Sequence, residues 1–162
     1  LLDKKDVFQR LSEDVDRAYI THDQFLVEFA KAAGVREEVV WKEIKKKFLL
    51  NKELVSMIVE LKRKYKIGLL SNFTYPWISE LIKEYDLNGY FDAMLISSEE
   101  KMIKPDPQFF YKILNLLCVG PQEVVFVDDK ASNVEGARKL GINASLFKTS
   151  EGFKSDLQKI LS

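Results

Sequence analysis

The amino-acid sequence predicts an open α/β fold: a doubly wound parallel sheet flanked by helices, with a small all-helical lobe ahead of it. Three observations lead there. Up to about residue 50 the apolar residues recur only at helical spacing. Beyond it, helical stretches alternate with four short, continuous apolar runs. Such runs are how strands buried on both faces of a parallel sheet read, and strand–helix alternation is the pattern of right-handed crossovers. Finally, polar side chains follow three of the four runs, at the sheet edge where open parallel sheets bind ligands.

Within the lobe, Val7, Phe8, Leu11, Val15, Ala18 and Tyr19 fall on one helical face, and Phe25, Leu26, Phe29, Ala30 and Ala33 on another. Thr21 and Gln24, three residues apart, form a capping-box signature for the second helix, and Gly34 can close it. Val40, Ile44 and Phe48, with Trp41 beside them, mark a third. The boundary is placed near Leu50, giving a lobe over 1–49 and an α/β region over 50–162. There, a helix through Leu54, Met57, Ile58, Leu61 and Tyr65 leads into the run Ile67-Gly68-Leu69-Leu70. A helix through Ile78, Leu81, Ile82 and Tyr85 leads into Ala93-Met94-Leu95-Ile96. Phe110, Ile113, Leu114 and Leu117 precede Val124-Val125-Phe126-Val127. Val134, Ala137 and Leu140 precede Ala144-Ser145-Leu146-Phe147, and Phe153, Leu157 and Ile160 close the chain as a helix.

Composition narrows the function classes. At 162 residues the chain has a one-domain length, and its 46% apolar content can build a core. Lys+Arg and Asp+Glu number 25 each, so net charge gives no drive toward nucleic acid or an anionic membrane. One cysteine, Cys118, excludes an intramolecular disulfide and a cysteine-rich zinc site. No apolar run approaches the roughly 18 residues of a membrane span. Leu1-Leu2-Asp3-Lys4-Lys5-Asp6 is charged too early for a secretory leader, so the expected setting is the cytoplasm.

The strand ends carry the chemistry. Ser71-Asn72 follows the first run and Ser97-Ser98 the second, with Lys104-Pro105-Asp106-Pro107 in the loop beyond. Asp128-Asp129 follows the third, with Asn133 four residues past the second carboxylate. Two carboxylates are hard oxygen donors suited to Mg²⁺. A lysine ammonium is a point charge for phosphate oxygens, and a serine hydroxyl and an asparagine amide can donate to the same oxygens. Together they point to a phosphate and a divalent cation. No nucleophile accompanies them: the only histidine, His22, lies in the helical lobe.

In order, spacing and strand context, Leu69-Leu70-Ser71-Asn72, Lys104-Pro105-Asp106-Pro107 and Val125-Phe126-Val127-Asp128-Asp129-Lys130-Ala131-Ser132-Asn133-Val134-Glu135-Gly136-Ala137 resemble motifs two, three and four of the haloacid dehalogenase-like hydrolases. The branch most resembled carries a helical cap between motifs one and two. The resemblance implies a Rossmann-like core with the lobe as that cap. It implies that Ser71 binds the phosphoryl group with help from Asn72, and that Lys104 neutralises charge on the nucleophile and phosphoryl oxygens. By the same resemblance Asp129 and Asp128 belong to the Mg²⁺ site, with Asn133 in support. The carboxylate at Asp129 favours a Mg²⁺-dependent phosphatase of a small phosphorylated metabolite over a metal-independent haloacid dehalogenase.

The family's first motif, an Asp-x-Asp ending the first core strand, supplies the attacking carboxylate that becomes an aspartyl-phosphate and its acid/base partner. Asp3, Asp6, Asp14 and Asp16 all lie on helical patterns, and Val15 of Asp14-Val15-Asp16 belongs to the apolar face. The chain opens on Leu1. The expectation is therefore that the motif and its strand lie upstream, that the 162-residue chain alone is inactive, and that the sheet lacks its central strand. That strand belongs between those ending at Ser71 and Asp128, and the gap would be filled by upstream residues, by rearrangement or by strand exchange with a partner chain. Substrate and oligomeric state are left open.

Two rivals come from other classes. A truncated or degenerate relative would only bind a phosphate ligand or a protein partner. A receiver-type signalling domain also gathers acids, Ser/Thr and Lys at strand ends, but its acid pair follows the first strand, not the last but one. Residue by residue, plainer roles are also weighed. Ser71-Asn72 can cap a helix, and Asp106 with Pro107 can start one. Cys118 reads as a small core residue, His22 as an exposed first-turn residue, Lys45-Lys46-Lys47 as a solvated face, and Trp41 and Trp77 as packing residues.

Overall fold

Residues 4–161 are described by a computed structural model, and their elements follow the apolar pattern. In order they are α1 (Lys4–Asp16), α2 (His22–Ala33), α3 (Glu37–Lys45), α4 (Lys52–Lys62), β1 (Gly68–Ser71), α5 (Tyr75–Glu84), β2 (Ala93–Ile96), α6 (Ser97–Glu100), α7 (Pro107–Leu117), β3 (Val125–Asp128), α8 (Ala131–Lys139), β4 (Asn143–Leu146) and α9 (Ser150–Leu161). The capping box forms as read: Thr21 Oγ1 accepts from the Gln24 N–H at 3.2 Å, and Gln24 Oε1 accepts from the Thr21 N–H at 2.8 Å. Gly34 ends α2 in the left-handed region at φ 72°. No helix among the described residues is long and apolar enough to cross a membrane.

The chain divides into two units. The first comprises the described residues through Asn51 together with Asn72–Asn88 and Ile96–Lys101. Its core is aromatic: Phe25 is 1% exposed, and Trp77 stacks on Trp41 with ring centroids 4.5 Å apart. Phe8, Phe29 and Phe73 pack around them. Trp41 and Trp77 thus do the packing work read from the sequence. Besides the residues through Asn51, α5 and α6 belong to this unit. Trp77 on α5 shares a core with Phe25 on α2, a long-range pairing that local periodicity does not report. Lys45 differs from its expected role as a solvated residue: its ammonium pairs with Glu80 at 2.6 Å and also with Glu84. His22 is half-buried rather than exposed, edge-on to Trp77, with Nδ1 3.2 Å from Thr74 Oγ1.

The second unit comprises Lys52–Ser71, Gly89–Leu95 and the described residues from Met102 onward. Helix α7 supplies its centre, with Phe109 and Phe110 at 0% and 1% exposure, packed with Leu70, Leu95, Val134, Ala137 and Ala144. The α/β class is as predicted, but the described strands do not join into one sheet. β1 pairs with β2, and β3 pairs with β4 in parallel, Val125 opposite Asn143 through Asp128 opposite Leu146. The break falls between β1 and β3, which is consistent with the absence of a strand between those ending at Ser71 and Asp128. Strand burial is incomplete: Met94 of β2 is 48% exposed. Cys118 corrects the sequence reading. It is exposed, because Leu117 is the last inward position of α7 and Cys118 turns away at φ 56°.

Candidate active site

Asp128 ends β3, where Val125, Phe126 and Val127 bring the strand out of the core. Its side chain is 5% exposed, so an ionised carboxylate there needs partners. It has three. Oδ1 accepts from the backbone N–H of Lys130 at 2.8 Å and from Asn133 Nδ2 at 3.0 Å, and Oδ2 accepts from Lys104 Nζ at 2.6 Å. Lys104 also donates to the Leu70 carbonyl on β1 at 2.7 Å. One ammonium therefore ties the end of β1 to the end of β3, across the place where the strands fail to pair. Burial pushes the Asp128 carboxyl up, but the Lys104 bond, the Lys130 N–H and the Asn133 amide outweigh it and hold it below the ordinary carboxylate value.

Local structure explains the convergence. Asp106 caps α7, accepting from the Gln108 N–H at 3.0 Å, and Pro107 occupies the first turn, as read from the sequence. The buried Phe109 and Phe110 then anchor α7, so the preceding Lys104-Pro105 turn is held at a fixed place. On the other side, α8 starts directly after β3 and presents Asn133, 3% exposed, to Asp128.

The remaining sequence-predicted residues divide. Ser71 follows Leu70 and is half-buried at the end of β1, one residue from the Lys104 anchor. Asp129 is exposed beside the buried Asp128. The two acids thus have different surroundings: Asp128 is held by a lysine and two N–H groups, whereas Asp129 faces solvent. Asn72 opens the segment assigned to the first unit. Ser97 and Ser98 take structural work there. Ser97, 0% exposed, accepts from the Phe73 N–H at 3.0 Å, and Ser98 accepts from the Tyr75 N–H at 3.0 Å.

Among the described residues no group of three His, Cys, Asp or Glu side chains could hold a metal ion. Mg²⁺ commonly takes only one or two protein carboxylates, with waters and substrate oxygens completing its shell. The exposed Asp129 carboxylate fits part of such a shell, whereas the Asp128 oxygens are engaged by Lys104, the Lys130 N–H and Asn133. Asp6, Asp14 and Asp16 lie on α1, and Val15 is buried at 4% exposure, so no Asp-x-Asp ends a strand there. Asp3 lies outside the described residues.

Two contributors were not legible from residue type. The Leu70 carbonyl is a backbone group, and only the tertiary fold brings it to Lys104. Gly136 was visible as a residue of the fourth motif, but its closeness to Pro105 was not: a Cβ there would lie 2.5 Å from Pro105 Cβ.

The sequence model of the haloacid dehalogenase-like hydrolases matches residues 5–147. The chain belongs to that family. N-acylneuraminate-9-phosphatase of Rattus norvegicus is 29% identical over 115 residues, covering 70% of this chain and 46% of the relative. A phosphorylated carbohydrates phosphatase of Thermotoga maritima is 34% identical over 80 residues, covering 49% of this chain and 37% of the relative. The chain thus spans about half or less of the length of these curated relatives. Among solved structures, a haloacid dehalogenase family enzyme of Bacteroides thetaiotaomicron superposes with a TM-score of 0.80 at 22% identity, covering 89% of this chain and 75% of the other. At that identity the likeness speaks for the fold alone.

Proposed function

We propose that this hydrolase is a Mg²⁺-dependent phosphatase of a small phosphorylated metabolite, with the attacking aspartate contributed by sequence upstream of Leu1. The observation that carries the reading is the buried Lys104 ammonium, fixed between the ends of β1 and β3 by Leu70 and Asp128. A cation held in so little water acts strongly on nearby negative charge. Lys104 would neutralise charge on the attacking carboxylate and the phosphoryl oxygens. Ser71 and Asn72 would donate hydrogen bonds to those oxygens, and the lobe α1–α3 would serve as the helical cap. Asp129 would be this chain's main metal ligand, with Asp128 beside it and Asn133 holding Asp128 in place. Mg²⁺, when bound, supplies further neutralisation of phosphate charge. The similarity to N-acylneuraminate-9-phosphatase supports a phosphorylated substrate.

A second reading rests on the lack of an Asp-x-Asp at a strand end among the described residues: the protein binds a phosphate ligand or a partner without catalysis. One experiment separates the two. The 162-residue chain and a version extended by its upstream reading frame are assayed on an aryl phosphate with Mg²⁺. Turnover by the extended protein alone, abolished by Lys104→Met, supports the phosphatase. Inactivity of both, with Mg²⁺ binding retained, supports the binder. Turnover by the 162-residue chain at ordinary phosphatase rates would remove the upstream nucleophile.

A further inference from the structure

Lys104 and Asp128 sit on different elements, and neither fixes their separation by itself. Lys104 belongs to the turn ahead of α7, and Asp128 to the end of β3. The element that touches both sides is α8. Its first turn brings Asn133 Nδ2 to Asp128 at 3.0 Å. Gly136 follows three residues later, one turn along the same side of the helix. There the helix meets Pro105: a Cβ on residue 136 would stand 2.5 Å from Pro105 Cβ, 3.3 Å from its carbonyl oxygen and 3.4 Å from its Cα.

Those atoms cannot swing aside. Two belong to the backbone, and the third is part of a ring closed onto the backbone nitrogen. Carbon atoms pack at about 3.5–4.0 Å, so any side chain at 136 would push α8 and the Pro105 turn apart by about 1 Å. Lys104 is the neighbouring residue, and its ammonium lies 2.6 Å from Asp128 Oδ2 and 2.7 Å from the Leu70 carbonyl. Hydrogen bonds of this kind tolerate only a few tenths of an ångström, so a displacement of that size is enough to break one of them.

We propose that Gly136 is a positioning residue for the catalytic cation: its missing side chain lets α8 close on Pro105, and this closure sets the distance at which the Lys104 ammonium meets the Asp128 carboxylate. The same helix turn therefore fixes both partners, one through the Asn133 amide and the other through a bare backbone contact. The link to catalysis rests on the phosphatase reading of Lys104; the geometric statement does not.

The test reads the ammonium group directly. A lysine NH₃⁺ held by hydrogen-bond acceptors and shielded from water gives a slowly exchanging ¹H–¹⁵N resonance, assigned by its loss in Lys104→Met. Gly136→Ala is expected to shift or abolish that resonance. Adding Pro105→Gly, which removes the opposing Cβ, is expected to move it back toward its wild-type position. A residue that matters only for folding would lower the melting temperature without this reciprocal rescue. If Gly136→Ala does not fold, the double variant decides: recovery of fold and resonance supports the proposal, and failure to recover them overturns it. An unchanged resonance in folded Gly136→Ala also overturns it. In the upstream-extended protein, Gly136→Ala should lower kcat by up to about 100-fold with KM little changed. A displaced resonance in a protein that hydrolyses no phosphate ester would leave the geometry standing and remove the phosphatase reading.

Discussion

Among the described lysines that meet carboxylates, Lys45 and Lys104 do different work. In the first unit, Lys45 on α3 bridges Glu80 and Glu84 on α5, with its own side chain 28% exposed and the two acids 45% and 43%. The Glu80 bond, then the Glu84 bond, push its pKa up to about 12 against the opposing influence of burial. In the second unit, Lys104 meets Asp128 at 10% and 5% exposure. Charges near solvent attract weakly because water screens them, so the Lys45 cluster is a pin between two helices. Charges withdrawn from water are costly singly and depend on each other. The contrast teaches that burial, rather than the number of partners, separates a screened fastening from a charge pair whose members depend on each other.

Removing Lys104 tests the contrast most severely. Lys104→Met strands a charged Asp128 in the interior and is expected to destabilise the second unit by about 3–5 kcal/mol. The double variant Lys104→Met/Asp128→Asn removes both charges, keeps an acceptor for the Lys130 N–H and the Asn133 amide, and should recover most of that loss. Urea unfolding of wild type and the two variants reads the difference; equal losses in single and double variants would mean that no buried-charge penalty exists.

Acid comes next in size. Asp128 is held below its ordinary 3.8, so the native state keeps the ionised form at a pH where the unfolded chain already takes up a proton. Its contribution is complete above the unfolded value and is lost as the pH falls through the lower, native value. Unfolding midpoints followed from neutral pH to about pH 2 should therefore drop less steeply in Asp128→Asn than in wild type.

The smallest effect belongs to Lys45. Lys45→Met should move the unfolding midpoint far less than Lys104→Met, and about 1 M salt should erase the difference from wild type. A loss at Lys45 that persists in salt would show that the helix pin is as insulated as the strand-end pair.

Much of this was legible in the sequence because it is local. The helix over 22–33 announces itself through Thr21, Gln24 and Gly34, since capping involves residues three or four apart. The strands ending at Ser71 and Asp128 announce themselves as apolar runs followed by polar residues. α6 escaped notice: four residues, Ser97–Glu100, carry too few apolar positions to show a period. Cys118 misled because it follows the apolar series of α7, whereas its left-handed backbone turns it outward. The assignment of Trp77 to the same core as Phe25 depends on contacts some fifty residues apart in the chain, which no local pattern records.

The candidate site divides in the same way. Side-chain chemistry is a property of the residue itself, so Ser71, Asn72, Lys104, Asp128, Asp129 and Asn133 could be selected from the sequence, with the resemblance assigning their roles. Distances and desolvation are properties of the assembled chain. Only the fold decides that Lys104 takes a backbone carbonyl on β1 as well as Asp128 on β3, and that of two adjacent acids one is buried and the other faces water. Only the fold decides, too, that the strands pair two by two. The sequence by itself thus determined the family, the order of the longer elements and the chemical groups available, because each rests on residues close along the chain. The tertiary structure decided which of those groups share an environment, because pairing and burial are set by residues that are distant in sequence and close in space.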